Sequence, residues 1–224
     1  MVVCYDGCSI QNKRPINMDS LLLKERRVAG EHLCIAAVCD GVGSTQDGAF
    51  ASAVTVQMLG EWFDQLKNVD RLGLKLRDYI LTINEQIAQK AVERGLRTAS
   101  TLSALLLCRE TYYIANVGDS RVYVFDRQNY VQLTNDQSFN GKLTSWLGRP
   151  ERTEVFYNEG SCRNGGFLVC SDGLYKRMNH AYLETELVNV EKKKLKKTIE
   201  RLTQHVIQRG ETDNISLALV LCES

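Results

Sequence analysis

Hydrophobic and polar positions along this chain change rhythm several times, and each change predicts a different element. The unbroken apolar run Leu33-Cys34-Ile35-Ala36-Ala37-Val38-Cys39 has the length of a buried strand. Ala51, Val54, Met58, Trp62 and Leu66 then recur at helical spacing, which predicts a helix over 48–66. Ile80, Ile83, Ile87 and Ala91 predict a second helix, with Gly95 as its stop. From Thr101 to Leu133 the runs LSALLLC, TYYIANV, RVYVF and YVQL are separated by polar turns, so a meander of antiparallel strands is expected there. A strand over 166–170, a basic amphipathic helix over about 183–208 and the closing run ISLALVLC complete the pattern.

Composition adds bounds. A chain of 224 residues, 44% hydrophobic and 25% charged, can bury a sizeable core, and with no internal repeat or linker a single domain over 1–224 is expected. The formal net charge of +1 gives no general attraction to nucleic acid or to a membrane surface. No run of 18 apolar residues is present to span a bilayer, and the N-terminus lacks a basic start followed by an apolar stretch. A soluble, cytoplasmic protein is the expectation.

Three other features carry no chemistry of their own. Among the eight cysteines, Cys34, Cys39, Cys108, Cys170 and Cys222 lie in or beside apolar runs, Cys162 is isolated, and no CxxC pair occurs. Reduced core thiols therefore explain them better than zinc or disulfides. The lysines at 192–194, 196 and 197 share a segment with Val188, Leu195, Ile199, Leu202 and Val206, which reads as the solvated side of an amphipathic helix. His32, His180 and His205 are too scattered for a metal trio.

Chemistry enters with the aspartates. Asp40 follows LCIAAVC, Asp119 sits in YYIANVGDSR, Asp172 follows GFLVCS, and Asp213 precedes ISLALVL. A lone Asp-Gly is ordinarily a turn. Acids delivered to strand ends from distant segments need positive charge to compensate them, and glycines beside Asp40, Asp119 and Asp172 allow tight turns whose carbonyls can add ligands. Such an oxygen set favours Mg²⁺ or Mn²⁺ over softer metals.

The order of motifs resembles the metal-dependent protein phosphatases of type 2C, in their compact bacterial form, over nearly the whole chain. Arg14-Pro15-Ile16-Asn17-Met18-Asp19 is similar to that family's Arg-x-x-Asn-Glu-Asp, and Asp40-Gly41-Val42-Gly43-Ser44 to its Asp-Gly-Met-Gly-Gly. Thr98 to Thr101, Gly118-Asp119-Ser120-Arg121, Ser171-Asp172-Gly173 and Asp213-Asn214 resemble the remaining motifs in order.

The resemblance implies an α+β fold, an α-β-β-α sandwich of two antiparallel sheets flanked by helices. It also implies a serine/threonine protein phosphatase in signalling, acting by a metal-activated water at a two-metal centre. On that basis Asp40 bridges two Mn²⁺ or Mg²⁺ ions, the carbonyl of Gly41 contributes, Asp172 and Asp213 hold one metal, and Asp119 serves a third, weaker one. Arg14 grips the substrate phosphate, while Asp19 and Asn214 support the ligands from behind. Phosphorylated targets of a cognate Ser/Thr kinase are the implied partners. Two departures stand out: Met18 occupies the usual glutamate position, and the stretch 134–147 is short where relatives carry a mobile flap. Ser44 for glycine is milder. A phosphate-binding scaffold and a hydrolase of small phosphometabolites are the rival readings.

Overall fold

The computed structural model describes residues 2–45, 47–151, 153–161 and 164–223; Cys162 lies outside them. In chain order the elements are β1 (Val2–Ile10), β2 (Asp19–Val28), β3 (Glu31–Asp40), α1 (Gly48–Gln65), α2 (Leu72–Arg94), β4 (Leu102–Cys108), β5 (Thr111–Val117), β6 (Arg121–Phe125) and β7 (Tyr130–Gln132). They continue with β8 (Ser138–Phe139), β9 (Lys142–Leu143), β10 (Phe156–Ser161), β11 (Gly165–Cys170), α3 (Asp172–Tyr175), α4 (His180–Val188), α5 (Leu195–Gln208) and β12 (Ile215–Glu223). Two five-stranded antiparallel sheets run in the orders β1-β12-β11-β6-β7 and β10-β5-β4-β3-β2.

Period-two burial explains why the central strands read as continuous apolar runs. On β3, Leu33, Ile35, Ala37 and Cys39 face α1 and α2, whereas Cys34, Ala36 and Val38 face the other sheet. On β12, Ile215, Leu217, Leu219 and Leu221 pack with α3 to α5, and Ala218, Val220 and Cys222 point between the sheets. Three apolar layers therefore hold four structural layers together, as the α-β-β-α expectation requires. Phe167 is fully buried in the middle layer, edge-on to Tyr112 at 5.4 Å between ring centroids.

The helices depart from the sequence reading in two ways. In α1 the deeply buried line is Ala51, Thr55, Leu59 and Phe63; Val54, Met58 and Trp62 flank it half-buried. Thr55 is tolerated in that line because its hydroxyl donates to the Ala51 carbonyl at 2.7 Å. The single helix expected over 183–208 is two. Asn189 ends α4 by donating its side-chain amide to the Thr185 carbonyl at 2.7 Å, and a 3₁₀ turn over Lys192–Lys194 precedes α5. The expected division of faces holds across the 3₁₀ turn and α5, where Leu195, Ile199, Leu202 and Val206 are buried and the lysines at 192–194, 196 and 197 are exposed. α2 ends as its sequence predicts, with Gly95 at φ +62° and its N–H donating to the carbonyls of Ala91 and Val92.

The expected meander is also divided. β4 and β5 pair in one sheet, while β6 pairs with β7 and β11 in the other. The crossing between sheets is Gly118-Asp119-Ser120, with Gly118 at φ +98°, a conformation that glycine adopts without a side-chain clash. Asp119 is thereby delivered to the end of the sandwich. The short 134–147 segment forms the β8-β9 hairpin, turning at Asn140 and Gly141 with φ +50° and +72° and exposing Phe139.

Candidate metal centre

Each acid arrives at one end of the sandwich by a different local device. Asp19 opens β2 and Asp40 closes β3, and the two are directly paired in the antiparallel register. Asp40 is pinned through its backbone: its N–H donates to Thr101 Oγ1 at 3.0 Å, and its carbonyl accepts from Thr101 N at 2.8 Å and Ser100 Oγ at 3.1 Å. Thr101 Oγ1 also meets Ser120 Oγ at 2.7 Å, linking the Asp40 and Asp119 turns. Asp172 is the first residue of α3.

Gly41 and Gly173 serve close approach rather than unusual backbone angles, since neither has positive φ. A β-carbon on Gly41 would lie 2.5 Å from the Gly48 carbonyl and 2.6 Å from the Met18 oxygen. One on Gly173 would overlap the carbonyl of Asn214, so the Asp172 and Asp213 segments can touch only through glycine.

The electrostatics are those of an acid cluster short of positive charge. Loss of solvation, then the neighbouring Asp19, Asp172 and Asp119, drives Asp40 well above the usual carboxylate range. Asp19 is buried and pushed up to about 6, chiefly by desolvation, although Ser171 Oγ donates to its Oδ2 at 2.9 Å. Desolvation and Asp172 also raise Asp119. Asp213 behaves differently: burial would raise it, but Arg14 holds it below the usual range. Arg14 Nε and Nη2 donate to Asp213 Oδ1 and Oδ2 at 2.8 and 2.7 Å. Lys176 Nζ pairs with Asp172.

Thus Asp19, Asp40, Asp119 and Asp172 act on one another, while Arg14 and Asp213 form a forked pair beside them. Among the described residues no three His, Cys, Asp or Glu side chains close on a single point; the acids sit along the end of the sandwich, at the rim of the two sheets. Their chemistry fits hard divalent cations: the donors are all oxygen, and their mutual repulsion is what positive charge would relieve.

The loop carrying Arg14 is clamped from behind. Buried Asn214 donates to the carbonyls of Gln11 and Ile16 at 2.8 and 3.1 Å and accepts the Met18 N–H at 2.9 Å. Asn12 Nδ2 donates to the carbonyls of Glu211 and Asp213, both at 2.9 Å. On the opposite side, Gln137 accepts the Gly118 N–H at 2.8 Å and returns its own N–H to the Gly118 carbonyl at 3.0 Å. Arg121 forks onto Asp136 and lies 3.5 Å from the Tyr175 ring centre. The sequence reading assigns no role to Gln137, Ser171 or Lys176. Of these, Lys176 had a readable signal, four residues after Asp172 at a helix start.

The sequence model of one family, described as Protein phosphatase 2C, matches residues 9–220. The chain belongs to the protein phosphatase 2C family. As a member it is a metal-dependent phosphatase that uses Mn²⁺ or Mg²⁺. It is 28% identical over 214 residues to the serine/threonine phosphatase stp of Listeria welshimeri, covering 83% of each chain. It is 26% identical over 235 residues to the protein phosphatase PhpP of Streptococcus pneumoniae, covering 94% of each. Among solved structures, Stp1 from Staphylococcus aureus superposes with a TM-score of 0.90 at 21% identity, covering 100% of this chain and 96% of that one. The catalytic domain of PstP, solved with two manganese ions, gives 0.84 at 24% identity and 99% coverage of both chains. These two likenesses establish the shared sandwich fold of this phosphatase 2C.

Proposed function

We propose that the acid rim removes phosphate from phosphoserine and phosphothreonine in proteins. In this reading Asp40 and the Gly41 carbonyl, with Asp172 and Asp213, hold two Mn²⁺ or Mg²⁺ ions, and Asp119 serves a third, weaker one. Bound there, such ions lower the pKa of water and offset the charge that builds on a phosphoryl group in flight. The observation that carries the reading is the gathering of Asp19, Asp40, Asp119 and Asp172 from four separate segments into one mutually repelling group.

The chain's own residues supply the rest. Arg14 spends Nε and Nη2 on Asp213, which leaves Nη1 of its planar fork as the donor for a phosphate oxygen. Thr101 and Ser100 keep the Asp40 backbone from shifting. The β8-β9 hairpin, with two residues in each strand, is a short segment where relatives carry a flap, which suits access by a protein substrate. Targets of a cognate Ser/Thr kinase are the natural substrates of such a site. We place its action in the cytoplasm, where thiols like the free Cys4, Cys8, Cys34 and Cys39 stay reduced.

The test is release of phosphate from a phosphothreonine peptide with Mn²⁺, compared with Asp40→Asn and Asp172→Asn proteins that keep the wild-type circular dichroism. Turnover should depend on the ion and fall to background in both variants. Undiminished turnover in either variant, or full activity in a chelator, would sink the assignment.

A further inference from the structure

Lys176 places an ammonium inside a group of carboxylates that is otherwise short of positive charge. Its Nζ is paired with Asp172, and the same charge is felt by Asp119 and Asp40. The contact is built by the backbone. Lys176 continues the helical turn beyond α3 at φ −61° and ψ −35°, its N–H donating to the Asp172 carbonyl at 3.0 Å, so the side chain lies back over a residue four positions earlier. The two partners are unequal in exposure: the Asp172 side chain is 14% exposed and that of Lys176 is 57% exposed. The acid is thus fixed and largely dry, whereas the ammonium reaches it from solvent on a flexible stem. Arg14, a second cation near these acids, is committed to Asp213 by two hydrogen bonds.

We propose that Lys176 is a tethered cation that competes with the divalent ion for Asp172 and so sets how much Mn²⁺ or Mg²⁺ the enzyme requires. The proposal rests on Asp172 being a metal ligand, as assigned above. A carboxylate oxygen that accepts from an ammonium has less negative charge to offer an incoming ion, and an ammonium left nearby repels that ion. Because Lys176 reaches water, releasing it is easy; its effect is on metal affinity and not on whether the site exists. A support role predicts the reverse, since an Asp172 that needed Lys176 to hold its rotamer would bind metal less well without it.

Titration calorimetry with Mn²⁺ alone separates the two. Lys176→Met should bind Mn²⁺ roughly two- to fivefold more tightly than wild type. Lys176→Gln should behave like Lys176→Met, and Lys176→Arg like wild type, because only charge matters in this account. The gain should shrink in high monovalent salt, which screens a solvent-facing charge. Asp172→Asn should weaken binding and abolish the gain from Lys176→Met. Equal or weaker Mn²⁺ binding by both neutral variants, with Asp172→Asn still impaired, overturns the tethered cation and leaves the site standing. Wild-type Mn²⁺ binding by Asp172→Asn overturns both.

Discussion

The carbonyl of Asn214 occupies the space that a side chain on Gly173 would need. That single contact brings the first turn of α3, with Asp172, against the strand that follows Asp213. Gly173→Ala must therefore move one of two buried backbone segments. A loss of about 1 to 3 kcal/mol is expected in a urea titration, together with weaker Mn²⁺ binding, because the same shift displaces an acid. Gly43→Ala is the comparison: its β-carbon would meet only the Met18 methyl group, at 3.3 Å, and the loss should stay below about 1 kcal/mol. Equal losses in the two variants would deny the close approach its role.

Asn214 predicts a different signature. Its amide holds three backbone groups of the 11–18 loop, so Asn214→Ala leaves part-buried donors and acceptors without protein partners and frees the segment that carries Arg14. KM for p-nitrophenyl phosphate should rise, as it should in Arg14→Ala. The two variants part in stability. Asn214→Ala should lose about 2 to 3 kcal/mol in urea, whereas exposed Arg14 should cost less than about 1. An unchanged KM in Asn214→Ala would show that the clamp does not govern Arg14.

What could be read in the chain beforehand follows burial closely. β3, β4, β11 and β12 announce themselves because both faces are covered, so their apolar runs are unbroken. β1, β2 and β10 are sheet edges, and none is evident from pattern alone. β2 carries Lys24-Glu25-Arg26-Arg27 along its outer half, and β10 reads FYNEGS, so solvent-facing polar residues erase the alternation. The acids could be found because they end legible strands. Asp19 could be quoted within a motif, yet its direct pairing with Asp40 is a matter of register between β2 and β3. The roles of Ser171 and Gln137 depend on contacts across 152 and 19 positions of sequence, which no local pattern encodes. The break between α4 and α5 was hidden for another reason: the apolar spacing on either side of Asn189 happens to stay compatible with one helix.

Met18 offers a direct test of the missing carboxylate. Its backbone carbonyl accepts the Gly41 N–H at 3.1 Å and the Ser52 hydroxyl at 2.6 Å, while its side chain reaches over Gly43. The residue thus touches the Asp40 loop without offering it an anionic oxygen. In Met18→Glu, half-maximal activity should come at a lower Mn²⁺ concentration, because an added carboxylate near the ions or their waters favours the loaded state. Superimposable titrations would mean that Asp19 already fills that need.

The buried acids also couple folding to pH and to metal. Asp19 is pushed up to about 6 in the folded protein, against about 3.9 for an unfolded aspartate. The folded state therefore binds its proton more tightly, so this contribution to stability is complete below about pH 4 and is lost as pH rises through about 6. Asp40 and Asp119 are shifted in the same direction. Asp213, held below its usual value, acts oppositely: its contribution is present above the unfolded pKa and is lost toward acid. Urea midpoints in chelator should show the wild type losing stability relative to Asp19→Asn between pH 4.5 and 7.5, by about 2 kcal/mol. Divalent ions supply the missing positive charge, so stabilisation by Mn²⁺ should grow over the same interval. A wild type that keeps a constant offset from Asp19→Asn across that range would show that Asp19 is ionised throughout, leaving the remaining acids to account for any pH-linked stabilisation by Mn²⁺.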